Sequence, residues 1–139
     1  MIEFAAQTDF ELTQPDLHSE WLSEVAHSEG CSVVGLQYVF VTDEELYEMN
    51  VKYLNHNTLT DIITFDYTEN EALSGDLFIS IDRVRENADT FAVSFDVELR
   101  RVMVHGLLHL AGYGDKTPED EALMRQKEDE KLKMFHVEQ

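Results

Sequence analysis

The sequence predicts an α+β domain: a mixed sheet of about four strands packed with helices, one of them buried at the centre. Three observations carry this. Segments with the alternation or β-branched content of strands take turns with segments of helical period, in the order β-α-β-α-β-β-α-α-α. At 139 residues the chain has the length of one domain, 1–139, and no repeat, Pro/Ser-rich linker or low-complexity tract divides it. One helical segment is apolar nearly all round, and only a central position accommodates that.

Ile2 to Ala6 alternate weakly, as an edge strand does. From Gln14 to Glu29, Leu17, Trp21, Leu22, Val25 and Ala26 share one helical face, and Gly30 ends the pattern. Val33 to Val41 is rich in β-branched and aromatic residues. Thr42 and Glu45 then form a Thr-x-x-Glu capping box that opens a helix carrying Leu46, Met49 and Tyr53. Asp61 to Tyr67 and Asp76 to Ile81 read as the strands of an antiparallel hairpin, with a polar connection ending in Ser74-Gly75. Helices follow over Asp82 to Phe91 and Phe95 to Ala111. The second carries Leu99, Val102, Met103, Val104, Leu107, Leu108 and Leu110, and Gly112 stops it. Thr117-Pro118-Glu119-Asp120 supplies an N-cap, a proline at the first helical position and first-turn acids for a polar C-terminal helix.

A hydrophobic content of 43% with 28% charged residues excludes a disordered chain, and no apolar run reaches the length of a membrane span. Glu3 stands where a signal peptide would carry basic residues, and the single cysteine, Cys31, allows no intramolecular disulfide. The expected location is cytoplasmic, with no membrane partner and with Cys31 as a buried small hydrophobe. Ten Lys and Arg face 29 Asp and Glu, a net charge of −19 that opposes broad adhesion to nucleic acid. Residues 1–51 contain no Lys or Arg, so a polyanion is expected to approach near Arg83, Arg85, Arg100 and Arg101.

The chemistry concentrates on the central helix. His105 and His109 are four residues apart and project from one face about one turn apart, so both imidazoles can reach one ion. Two neutral rings in an apolar setting would otherwise need separate hydrogen-bond partners. A catalytic zinc site takes three protein ligands and keeps an open position. Past the turn at Gly112, Asp115 is the first side chain able to bind a metal; it is either that third ligand or a solvated loop acid. Gly106 stands where the metalloprotease motif H-E-x-x-H carries its general base, which excludes a protease of that design. Activation of water by a bound metal would then be assisted by another group. Thr60 and Asp61, at the start of one strand, and Asp76, at the start of the next, are the catalytic candidates; ordinary turn and strand-edge chemistry is the alternative for each.

The stretch His105-Gly106-Leu107-Leu108-His109-Leu110-Ala111-Gly112-Tyr113 resembles the signature H-G-x-L-H-L-x-G-Y-D-H of the YbeY family of rRNA maturation factors. Asn50, Tyr53 and Thr60-Asp61-Ile62-Ile63-Thr64-Phe65 are similar to the family's L-N-x-x-Y-R…P-T-D-V-L-S-F, and Gly75-Asp76 precedes an apolar strand as it does there. The likeness covers roughly residues 42–125. Asp115 corresponds to the family's last zinc-binding histidine, Gly114 to the preceding acid, and Leu54 to an arginine associated with RNA cleavage.

The resemblance implies a single-strand-specific endoribonuclease holding one Zn2+ through His105, His109 and Asp115. It further implies action in small-subunit rRNA 3′-end maturation and ribosome quality control, with rRNA or the small ribosomal subunit, and a ribosomal or accessory protein, as partners. Aspartate in place of histidine makes the ligand set more anionic and harder, and leucine cannot bind phosphate. Two rival functions stand beside it. A noncatalytic assembly factor would have a closed four-ligand metal site, and a hydrolase of small molecules or peptides would have a discrete cleft without basic rims.

Overall fold

The structure, a computed structural model, describes residues 1–54 and 60–135, the Leu54 side chain excepted. Among these residues β1 (Ile2–Ala6), β2 (Ser32–Val41), β3 (Ile62–Asp66) and β4 (Ala72–Ser80) form one sheet in the order β1-β2-β4-β3. β1 and β4 run parallel to β2, and β3 runs antiparallel to β4, so the sheet is mixed. The helices are α1 (Pro15–Ser28), α2 (Asp43–Leu54), α3 (Ile81–Phe91), α4 (Phe95–Leu110) and α5 (Pro118–Leu132). Every expected element is present in the expected order.

Strand alternation divides the apolar side chains between two faces. Leu36, Tyr38 and Phe40 of β2 and Leu73, Leu77 and Ile79 of β4 join Trp21, Leu22 and Val25 of α1 and Leu99, Met103 and Leu107 of α4 in the main core. Val39, Val41 and Ile63 point the other way and meet Leu46 of α2 in a smaller core. The buried Tyr38 hydroxyl donates to the Met103 carbonyl at 2.9 Å, tying β2 to the middle of α4.

α4 approaches the sheet at Gly106. A Cβ there would lie 2.5 Å from Leu77 Cδ2 and 2.8 Å from Ile62 Cδ1, so glycine lets the helix lie this close to β3 and β4 without displacing those packed side-chain ends. The contact lays the helix turn that carries His105 and His109 beside β3.

The hairpin differs from expectation. β4 starts at Ala72, the turn lies within 68–71 and is closed by a Glu69–Ala72 bridge, and Ser74 and Gly75 lie inside the strand. Gly75 serves a close approach instead, because a Cβ there would stand 2.6 Å from the Phe65 carbonyl oxygen. Cys31 is half-buried at the core's edge, not fully enclosed. The Thr42 box is closed reciprocally, Thr42 N–H donating to Glu45 Oε1 and Glu45 N–H to Thr42 Oγ1, each at 3.2 Å. Ser80, Ser94 and Thr117 cap α3, α4 and α5.

Candidate metal centre

His105 and His109 stand in the last two turns of α4, and Gly112, with φ of 108°, reverses the chain just beyond them. The Gly112 amide donates to the His109 carbonyl and the Tyr113 amide to that of Leu108, closing the helix end. This turn returns Asp115 to the histidines. Its Oδ2 lies 3.1 Å from His109 Nε2 and 3.6 Å from His105 Nε2, and one ligand atom from each of the three residues lies within 4.8 Å of the others. Two ligands about 2.0–2.1 Å from a tetrahedral ion stand roughly 3.4 Å apart, so these spacings match a zinc-sized ion.

The outer nitrogens explain the ring orientations. His109 Nδ1 lies 2.9 Å from the Tyr113 carbonyl oxygen, which can only accept, so Nδ1 carries the proton. In the neutral ring the lone pair at Nε2 then faces the Asp115 carboxylate at 3.1 Å. Two acceptors so placed repel unless a cation lies between them. His105 Nδ1 is 2.7 Å from Glu128 Oε2 on α5, and Glu128 Oε1 accepts from Arg101 Nη1 at 2.8 Å. Both rings therefore present Nε2 to the centre, and each is oriented by an acceptor behind it, as metal-binding histidines are. The donor set of two imidazoles and a carboxylate suits a zinc-like ion.

The electrostatics support this arrangement. Burial disfavours the charged forms of both Glu128 and His105, but their mutual contact outweighs it, with help from Arg101 on Glu128; the carboxyl is held below its ordinary range and the imidazole above its own. Burial raises the Asp61 carboxyl, opposed by nearby His105. A second network holds the loop. Tyr113 Oη donates to Glu29 Oε1, and Lys127 and Lys131 of α5 reach Glu29 Oε2 at 3.2 and 2.7 Å. Burial opposes ionisation of Glu29, yet the bonds from Lys131, Tyr113 and Lys127 hold it down at about 2.

His105, His109 and Asp115 line a cleft of about 570 Å3 together with Thr60, Asp61, Ile62, Thr64, Asp66 and Lys116. Thr60 and Asp61 are thus brought to the centre, the Thr60 hydroxyl donating to the Ile62 carbonyl at 3.3 Å. Asp76 is not among the lining residues. It pairs with Phe65, whose side chain joins the α2 side of the sheet, and its carboxylate accepts from Tyr67 Oη at 3.4 Å; strand alternation turns it away from α4. The expected basic approach also differs. Arg83 is paired with Asp43 and Glu86, and Arg85 and Arg100 stack on Phe95 and Phe135; Arg101 does line an adjoining cleft with His105 and Asp115, but it is held there by Glu128 and Asp129. The Leu54 side chain lies outside the described residues. Glu128 and Glu29 are not legible as site residues in the sequence, because 23 and 84 residues separate them from the groups they contact.

The family described as Endoribonuclease YbeY matches residues 2–136, beyond the stretch that carries the sequence resemblance. Proteins named Endoribonuclease YbeY from Flavobacterium psychrophilum and Flavobacterium johnsoniae are 53% and 52% identical over 139 residues, covering 100% of this chain and 99% and 100% of theirs. One from Christiangramia forsetii is 44% identical over 99% of this chain and 96% of its own. A solution structure of a Thermotoga maritima protein superposes with a TM-score of 0.69 at 27% identity, covering 97% of this chain and 89% of that one.

Proposed function

The chain belongs to the Endoribonuclease YbeY family, and on that premise we propose that it hydrolyses single-stranded RNA in ribosomal RNA processing, with one Zn2+ held by His105, His109 and Asp115. The observation that carries the reading is a group of three ligand residues opening on a cleft, the pattern of a catalytic rather than a closed structural site. A bound divalent ion would lower the pKa of water and polarise a phosphoryl oxygen. The chain's own residues do the rest. Glu128 and the Tyr113 carbonyl fix both rings with Nε2 inward, and the Tyr113–Glu29 bond fixes the loop that carries Asp115. Asp61 takes the proton of the attacking water. Water adds at phosphorus, the bond to the leaving sugar oxygen breaks, and that oxygen takes up a proton from solvent while Asp61 returns its own to solvent.

The small ribosomal subunit, with a ribosomal or accessory protein, presents the strand. The charge of −19 supports this, because nonspecific RNA affinity rests on Lys and Arg contacts to phosphates and most of the ten cations are already engaged. Positioning by a partner can supply roughly 7–11 kcal/mol of a barrier in the best cases. Cleavage of a free rRNA fragment is compared with cleavage in small-subunit particles at matched salt, with His109→Ala as the contamination control. Metal-dependent cleavage favouring the particle is expected. No cleavage in either setting by zinc-loaded protein would overturn the reading.

A further inference from the structure

Ten Lys and Arg serve the whole chain, and their partners can be traced. Arg83, Arg101, Lys127 and Lys131 form ion pairs with Asp43, Glu128 and Asp129, and Glu29. Lys52, Arg85 and Arg100 lie over Tyr53, Phe95 and Phe135. Lys116, Arg125 and Lys133 remain. Lys116 lines the main cleft with His105, His109 and Asp115. Arg125 lines two adjoining clefts that also include His105 and Asp115, and in one of them it stands beside the ion-paired Arg101. The Arg125 side chain is 58% exposed, and the guanidinium stands 3.8 Å from Glu128 Oε1, an oxygen Arg101 already holds at 2.8 Å. Lys133 lines none of these three clefts.

Asp61, Asp66, Glu98, Glu121 and Glu128 line the same clefts, and so many acids repel a polyanion that enters without counter-charge. Two cations that, among the described residues, no ion pair of comparable closeness neutralises sit where the polyanion must cross. Arg125 offers the planar fork that binds phosphate in two bonds, and Lys116 a compact point charge.

We infer that Lys116 and Arg125 are the phosphate-binding residues of this site, in different clefts around the ligand group, contacting phosphates that flank the one to be cleaved. The inference rests on the ribonuclease reading and adds the strand's anchor points to it.

The test measures binding of zinc-loaded protein to a short fluorescein-labelled 2′-O-methyl single strand across a salt series, with zinc content recorded for every variant. Removing one phosphate-binding cation reduces the slope of log K against log salt for a single strand by about 0.7. Lys116→Gln and Arg125→Gln are each expected to lower the slope by that amount, the double variant by about 1.4. Arg125→Lys should keep the slope, and Lys133→Gln should match the parent. Unchanged slopes in Lys116→Gln and Arg125→Gln, with a parent that binds and cleaves RNA, would overturn this inference and leave the ribonuclease reading standing. A parent that does not bind the strand and cleaves RNA neither free nor in small-subunit particles overturns both.

Discussion

Glu128 Oε2 lies 2.7 Å from Nδ1 of His105, and the same carboxylate receives Arg101 at 2.8 Å through its other oxygen. The guanidinium offsets the charge while the carboxylate holds the ring. Removing such an acceptor behind a metal-binding histidine costs about 10–100-fold in metal affinity. Glu128→Ala should fall in that range by chelator competition, and Glu128→Gln should lose less because its amide oxygen can still accept from Nδ1. Equal affinity in all three proteins would show that Glu128 does not support a metal ligand.

Purified protein should carry about one zinc per chain by elemental analysis, the number one three-ligand site accommodates. Asp115→Ala should weaken zinc binding, and Asp115→His should largely restore it, since imidazole is an equally good donor at the same place. Parental affinity in Asp115→Ala would remove Asp115 from the ligand set.

Glu29 provides a pH signature. Its carboxyl titrates at about 2 in the folded protein against an ordinary value near 4.5, so the stability it contributes is complete above 4.5 and is lost as pH falls toward 2. At neutral pH Glu29→Gln should cost about 1.5–3 kcal/mol in denaturant unfolding, the usual range for hydrogen bonds to a charged group. The gap between parent and variant should narrow below pH 4.5. A gap constant down to pH 2 would mean that the charge is not what stabilises.

Gly106→Ala should destabilise by about 1–3 kcal/mol, because the added methyl meets Leu77 Cδ2 at 2.5 Å and Ile62 Cδ1 at 2.8 Å. It should also weaken zinc binding, since the helix that carries both histidines must shift. Unfolding and zinc titration on the same samples check this, and a variant as stable as the parent would show that α4 does not depend on the close contact.

Much of this architecture is legible in the order of residues because its causes are local. The Thr42 box, the Gly112 turn and the four-residue spacing of His105 and His109 each act within a few residues, so strand, helix and the candidate ligand pair can be read directly. Asp115 is within reach for the same reason. The hairpin misleads because Ser74-Gly75 has turn composition, whereas Gly75 is small to accommodate the Phe65 carbonyl of the neighbouring strand. Asp76, Arg83, Arg85 and Arg100 mislead because side-chain direction and ion pairing are set by tertiary partners. Arg101 is committed to Glu128 and Asp129, 27 and 28 residues away, and nothing in its immediate neighbourhood records that.

α5 places only Met124, Glu128 and Lys131 in the interior, so charged contacts attach it as much as apolar ones. Elements with little apolar burial open by local unfolding before the strands and helices of a core do. When this helix lifts, Arg101 and His105 lose Glu128 together. The lifetime of an ion in the centre is thereby coupled to the excursions of a helix that supplies none of its ligands, and amide hydrogen exchange along 118–132 should slow when zinc is bound.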